Sequence, residues 1–304
     1  MKGIIRHAAT AAVLLAVVLA GCRPTPDGPS PEPVATRPVQ AVELLVADLR
    51  RNDLVAYARH ALPPALHTRI EGRWREGATI WPLSELPLHA QLPAMLAALA
   101  APESEQVLME KYRAQFAGAH GELRSTAAAL GLFAAQYVQG EPRYSDSERD
   151  HYVQTIAALG RWGQQAPLGD PERAQALLSA LAPAARATRL AEPGAFAQAG
   201  MVDSLTRLGP FANAFKQVLA AQYGLDLDAA LDSVRVEETA RTGDQARVRL
   251  RYTLAGTGVD TEVRVERHGN RWYLTDLLRH AQAQAEAAGP IAPAVAPAAP
   301  PPAG

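Results

Sequence analysis

The sequence predicts an α+β protein, with a predominantly helical body followed by a small C-terminal four-stranded antiparallel meander. Two observations carry that class. From about Val39 to Asp232 apolar residues recur at helical spacing, and breaks fall at prolines and glycines. After Ser233 the period switches to two, with Ala246, Val248, Leu250, Tyr252 and Leu254 alternating with polar or charged neighbours. Composition narrows the function classes. A formal net charge of −1 lacks the basic excess of a nucleic-acid binder. A single cysteine excludes a disulfide framework and any thiolate metal cluster. Arginine outnumbers lysine 27 to 3 in an alanine-rich chain, which reads as a GC-rich genome rather than a phosphate-binding design.

The chain opens with Lys2 and Arg6, an apolar run of 13 residues from Ala8 to Ala20, and then Leu19-Ala20-Gly21-Cys22. That run is too short for a bilayer span, which needs about 20 residues, and it reads as a secretory signal. Its last four residues resemble the lipobox of bacterial lipoproteins. The resemblance implies removal of residues 1–21, diacylglycerol on the Cys22 thiol and a palmitate-type chain on the new amine. Arg23 follows in place of the Asp that retains such lipoproteins in the inner membrane of enteric bacteria. The resemblance therefore implies the inner leaflet of the outer membrane, with the body facing the periplasm.

Residues 22–40 read as the lipidated Cys22 and a tether. Prolines at 24, 26, 29, 31, 33 and 38 favour polyproline II, long enough to hold the body up to ~55 Å from its anchor. Residues 41–232 read as all-α, with nine or ten helices. Leu123, Ala127, Leu130, Ala134 and Tyr137 form one apolar stripe, and Phe211, Phe215, Val218 and Leu219 form another. Ser145-Asp146-Ser147-Glu148 reads as a capping box and Asp170-Pro171-Glu172 as an N-cap with proline at N1. Breaks are expected at Pro63-Pro64, Trp81-Pro82, Pro93, Pro102, Gly140-Glu141-Pro142, Pro167, Pro183, Pro193 and Gly209-Pro210.

Residues 233–280 read as the meander. Its strands begin at Val234 and turn at Thr242-Gly243-Asp244, Gly256-Thr257-Gly258 and His268-Gly269-Asn270, and the last runs from Arg271 to Leu277. Its apolar face is expected to pack on the helix carrying Phe211 and Phe215, with Trp272 as an anchor. Residues 281–304, rich in Ala and Pro, read as a disordered tail. The stretch from about 210 to 280, with RVEET, GDQARVRLRY and VRVERHGNRWYLTDL, resembles the C-terminal part of NTF2-like domains. That family wraps a curved sheet around helices to leave a conical pocket; the resemblance implies a small-ligand or enzymatic pocket as the alternative function, and it carries over no catalytic residue.

His67 and Glu71 share a helix face, yet zinc needs three or four converging ligands, so an exposed pair is expected. Asp146, Glu148, Asp150 and His151 form the densest acidic cluster; capping and the helix dipole account for it without a metal. Arg247, Arg249, Arg251 and Arg264 line the polar sheet face, where Asp260, Glu262 and Glu266 offer cross-strand partners. Trp74 and Trp81, with Tyr57, suit a core better than a sugar platform. Gly256 and Gly258 lie between strands and open no helix, which excludes a dinucleotide fingerprint. No catalytic, cofactor or metal residue is expected. The sequence thus points to a lipid-anchored envelope protein, a non-catalytic binding or scaffold module for a protein, glycan or small ligand.

Overall fold

The computed structural model describes residues 33–287. Cys22, its signal and most of the tether lie outside the described residues, as does the tail from 288. Among the described residues ten α-helices precede the sheet: α1 Pro38–Arg51, α2 Leu54–Ala61, α3 Pro64–Arg75, α4 Leu92–Ala100, α5 Ser104–Gln115, α6 His120–Gly140, α7 Asp146–Gln165, α8 Pro171–Thr188, α9 Ala195–Tyr223 and α10 Leu227–Asp232. Strands β1 Arg235–Thr242, β2 Gln245–Leu254, β3 Thr257–His268 and β4 Arg271–Leu274 pair antiparallel in chain order. An eleventh helix, α11 Thr275–Glu286, closes the described chain.

The helix starts follow local chemistry. Ser145 Oγ accepts from Glu148 N at 3.2 Å and Glu148 Oε2 accepts from Ser145 N at 2.7 Å, which closes the capping box of α7. Asp170 caps α8 by accepting from Glu172 N and Arg173 N, with Pro171 at N1. Helix α1 starts inside the stretch read as tether. Pro38 is its first residue, and the Gln40 side chain accepts from Thr36 N and Arg37 N. Just before it, buried Ala35 accepts from Trp272 N at 2.8 Å. Neither Pro183 nor Pro210 breaks its helix; each lies inside α8 or α9. The break in α9 falls at Gly200, whose φ of 73° only glycine adopts at little cost.

The period-two reading holds through β2 and β3, whereas β1 shifts register between Glu238 and Ala240. Val248 faces Val263, Leu250 faces Thr261 and Tyr252 faces Val259 on one side, with Arg249 and Arg251 on the other. The β2–β3 turn comes one residue earlier than expected, at Ala255 and Gly256, both with positive φ as a two-residue hairpin turn requires. The packing partner differs from the expected one. Val248, Leu250, Val265 and Trp272 pack against Ala41 and Val42 of α1, whereas Phe211 belongs to the interhelical core and Phe215 is 36% exposed. Helix α1 takes that place because Ala35 is hydrogen-bonded to β4, so the chain enters α1 directly over the sheet.

The fourth strand also ends early. Only Arg271–Leu274 pairs with β3, and Thr275 starts α11, so 275–277 and 281–286 are helix rather than strand and tail. Four residues of β4 leave most of β3 as an edge. Helix α7 covers it: the Gln154 amide donates to Asp260 O at 2.8 Å and accepts from Asp260 N at 2.9 Å, standing in for a strand.

Candidate functional site

A cleft of about 800 Å³ opens between α6 and the segment 84–89, floored by α7 and α11. Its size suits a small ligand, for which ~300–1,000 Å³ is usual. Each wall has a local cause. Segment 84–89 cannot be regular helix, because Pro82 and Pro87 interrupt it and Leu88 sits at φ 59°; it runs as two short 3-10 turns. Helices α6 and α7 form a hairpin whose seam is small. A Cβ on Gly131 would stand 3.6 Å from Gly160 Cα, and one on Gly163 would stand 3.1 Å from Ala127 Cβ. Because small residues make this seam, the large apolar residues of α6 are left outside it. Leu130, Leu132, Phe133 and Tyr137 are 54–68% exposed, and Val138 alone on α6 is fully buried. Of the stripe expected along α6, Leu123, Ala127 and Ala134 are half-buried, whereas Leu130 and Tyr137 stay in solvent.

Across the cleft, Leu86 and Leu88 are exposed by 52% and 78%. The floor carries Ile156 and Leu159 of α7 with Ala283 of α11, and one end holds charge. His280 sits between two carboxylates, Nδ1 at 2.8 Å from Glu85 and Nε2 at 3.1 Å from Glu148. Hydrogen bonds to Glu148 and Glu85 raise the imidazole from 6.5 to about 9, against the opposing effect of burial. At neutral pH it is a cation donating from both nitrogens, with no lone pair left for a general base. Burial pushes Glu148 up, but bonds from His280 and Ser145 and the charge of Arg279 outweigh it and hold the carboxyl below its usual range. Arg279 also bonds Glu148 and Asp276 and donates to Arg143 O at 2.6 Å.

The polar lining is largely spent on itself. Gln284 bonds Thr79 and Ser84, Arg143 holds Glu141, and Tyr137 donates to Glu141 at 3.1 Å. Tyr144 and Tyr152 stand edge to face with centroids 5.0 Å apart. Burial pushes both phenols above their ordinary range, so both remain neutral donors.

The expected candidates fall as follows. His67 and Glu71 lie on α3, where Glu71 approaches Arg75 at 3.8 Å; among the described residues no three metal-capable side chains converge. The acidic cluster is divided. Asp146 pairs with Arg149, Glu148 enters the cleft cluster, Asp150 accepts from Thr261 at 2.9 Å, and His151 meets the Tyr252 hydroxyl at 2.8 Å. Capping thus accounts for only part of it: α7 brings Asp150 and His151 onto the sheet's inner face, where they meet the Thr261 and Tyr252 hydroxyls. The four candidate arginines of the polar sheet face all have partners. Arg247 pairs with Glu262, Arg249 with Asp260, Arg251 with Glu237, and Arg264 with Asp276 at the start of α11. Trp74 and Trp81 are fully buried, with Trp74 Nε1 donating to Trp81 O at 2.6 Å, and Tyr57 packs against the same core.

Sequence reasoning missed Glu85, Arg279 and His280. The available signal was Leu277, Leu278, Ala281 and Ala285 at helical spacing behind Thr275-Asp276. Comparison with known family models, curated proteins and solved structures finds no match.

Proposed function

We propose that this chain is a lipid-anchored cell-envelope protein, held to the periplasmic face of the outer membrane through Cys22, whose body is a non-catalytic binding module. One observation supports it most: the cleft beside α6 keeps Leu86, Leu88 and Tyr137 at least half exposed, with Leu130, Leu132 and Phe133 in solvent elsewhere on α6, while its charged groups are occupied with one another. Exposed apolar surface of that extent is characteristic of interaction sites. The doubly bonded His280 argues against general-base chemistry in this cleft, because its ring has no free nitrogen to move a proton.

Two measurements test the reading in its two parts. Full-length Cys22→Ser should leave the membrane fraction after detergent-free washing, whereas retention at the wild-type level contradicts the anchor. A photo-crosslinking residue at Leu88 should give adducts in cells, and the same probe at Arg249 should not. Equal adduct yields from the two positions would contradict the binding surface.

A further inference from the structure

The cleft's own chemistry narrows what can fill it. A peptide or glycan brings N–H, C=O or hydroxyl groups, and each needs a partner once it leaves water. The lining has little to offer them. His280 gives both nitrogens to Glu85 and Glu148, and Gln284 uses both ends of its amide on Thr79 and Ser84. Thr155 is committed to Tyr252 and Tyr137 to Glu141. What remains is aliphatic and aromatic wall from Ala134, Val138, Ile156 and Leu159, with the Tyr144 and Tyr152 phenols as neutral donors. A hydrocarbon chain has no polar group to satisfy and fills such a space at no desolvation cost of its own.

Resting on the binding-module reading above, we propose that the cleft takes the unbranched aliphatic chain of a single-chain amphiphile. The chain lies over Ile156 and Leu159 between α6 and Leu86–Leu88. A hydrogen-bond-accepting head, such as a carboxylate, stays toward Tyr144, Tyr152 and the exposed Arg143. Recognition then comes from buried area and not from a polar code, so affinity follows chain length.

The experiment is calorimetric titration of full-length Cys22→Ser protein, which carries no acyl chain at that position, with monomeric alkyl carboxylates from octanoate to hexadecanoate. Each added CH₂ should tighten binding by about fourfold, from ~0.8 kcal/mol per buried methylene, until the cleft is full. Ala134→Trp fills the cleft from α6 and should weaken binding at least about tenfold, while its far-ultraviolet spectrum and urea midpoint report that it is folded. Affinity that does not change with chain length overturns the proposal, as does wild-type affinity in folded Ala134→Trp. A parallel arm uses vesicles of phosphatidylethanolamine and phosphatidylglycerol. Binding to vesicles that Ala134→Trp leaves intact, without binding of monomeric chains, assigns the surface to a bilayer and overturns the proposal. If no alkyl chain binds while Leu88 still crosslinks a protein in cells, the aliphatic occupant is wrong and the binding-module reading stands.

Discussion

The sheet with α1 and the flank around α6 use apolar residues in opposite ways. On the sheet, Val248, Val265 and Trp272 are at most 3% exposed and close on Val42 of α1. On α6, Leu130, Leu132 and Phe133 are each at least 60% exposed, although the helix is 21 residues long. The difference lies in what makes each contact. A strand presents every second side chain to one face, so its large residues meet the opposing layer. Helix α6 meets α7 through Ala127, Gly131, Gly160 and Gly163, and a seam of small residues brings the backbones close while leaving the large side chains outside. The sheet buries its apolar surface within the fold, and α6 leaves much of its own in solvent.

Four outcomes sharpen or break that contrast. Trp272→Ala removes the sheet's largest buried side chain and should lower stability by about 3–5 kcal/mol in urea melts. Gly163→Val places a branched side chain where even a Cβ stands 3.1 Å from Ala127, and should cost about 1–3 kcal/mol. Hydrogen exchange should then rise in 120–140 and stay low in the sheet; a uniform rise would mean that α6 and the sheet unfold together.

The third outcome concerns pH. The imidazole of His280 is raised in the folded state, so its contribution is complete below pH 6.5 and lost as pH rises through about 9. Screening by the open cleft sets that contribution at ~1–2 kcal/mol. Urea midpoints should fall between those pH values in the wild type and stay flatter in His280→Gln. Parallel curves would remove the ion cluster from the account. The smallest effect belongs to Phe133→Ser, which should change stability by no more than ~0.5 kcal/mol because the ring is 68% exposed.

Legibility in the sequence followed the same division. Alternation from Ala246 to Leu254 placed every inward residue of β2 correctly, because a period of two leaves one answer for each side chain. The capping box at Ser145 and the proline start at Pro171 were equally readable, since both are local. Helix α11 was not, because Trp272-Tyr273-Leu274 continues a strand pattern into Thr275 and the alanines beyond resemble the tail. With α11 hidden, Arg279 and His280 had no place, and their partner Glu85 lies 195 residues away in a proline-broken segment. The α6 stripe was readable in part. Helical spacing put Leu123, Ala127 and Ala134 on the half-buried side, and only the tertiary partner decides that Leu130 and Tyr137 stay in solvent.

The central claim is that the apolar rim of the cleft is unneeded for folding and used for binding. Leu86→Ser/Leu88→Ser in the full-length Cys22→Ser background tests it in one protein with two readouts, the urea midpoint and the affinity for dodecanoate. The proposal predicts a midpoint that corresponds to a stability within ~0.5 kcal/mol of the parent and an affinity at least about tenfold weaker. A lowered midpoint with unchanged affinity would contradict it, because those leucines would then belong to the core and the cleft would have lost its rim.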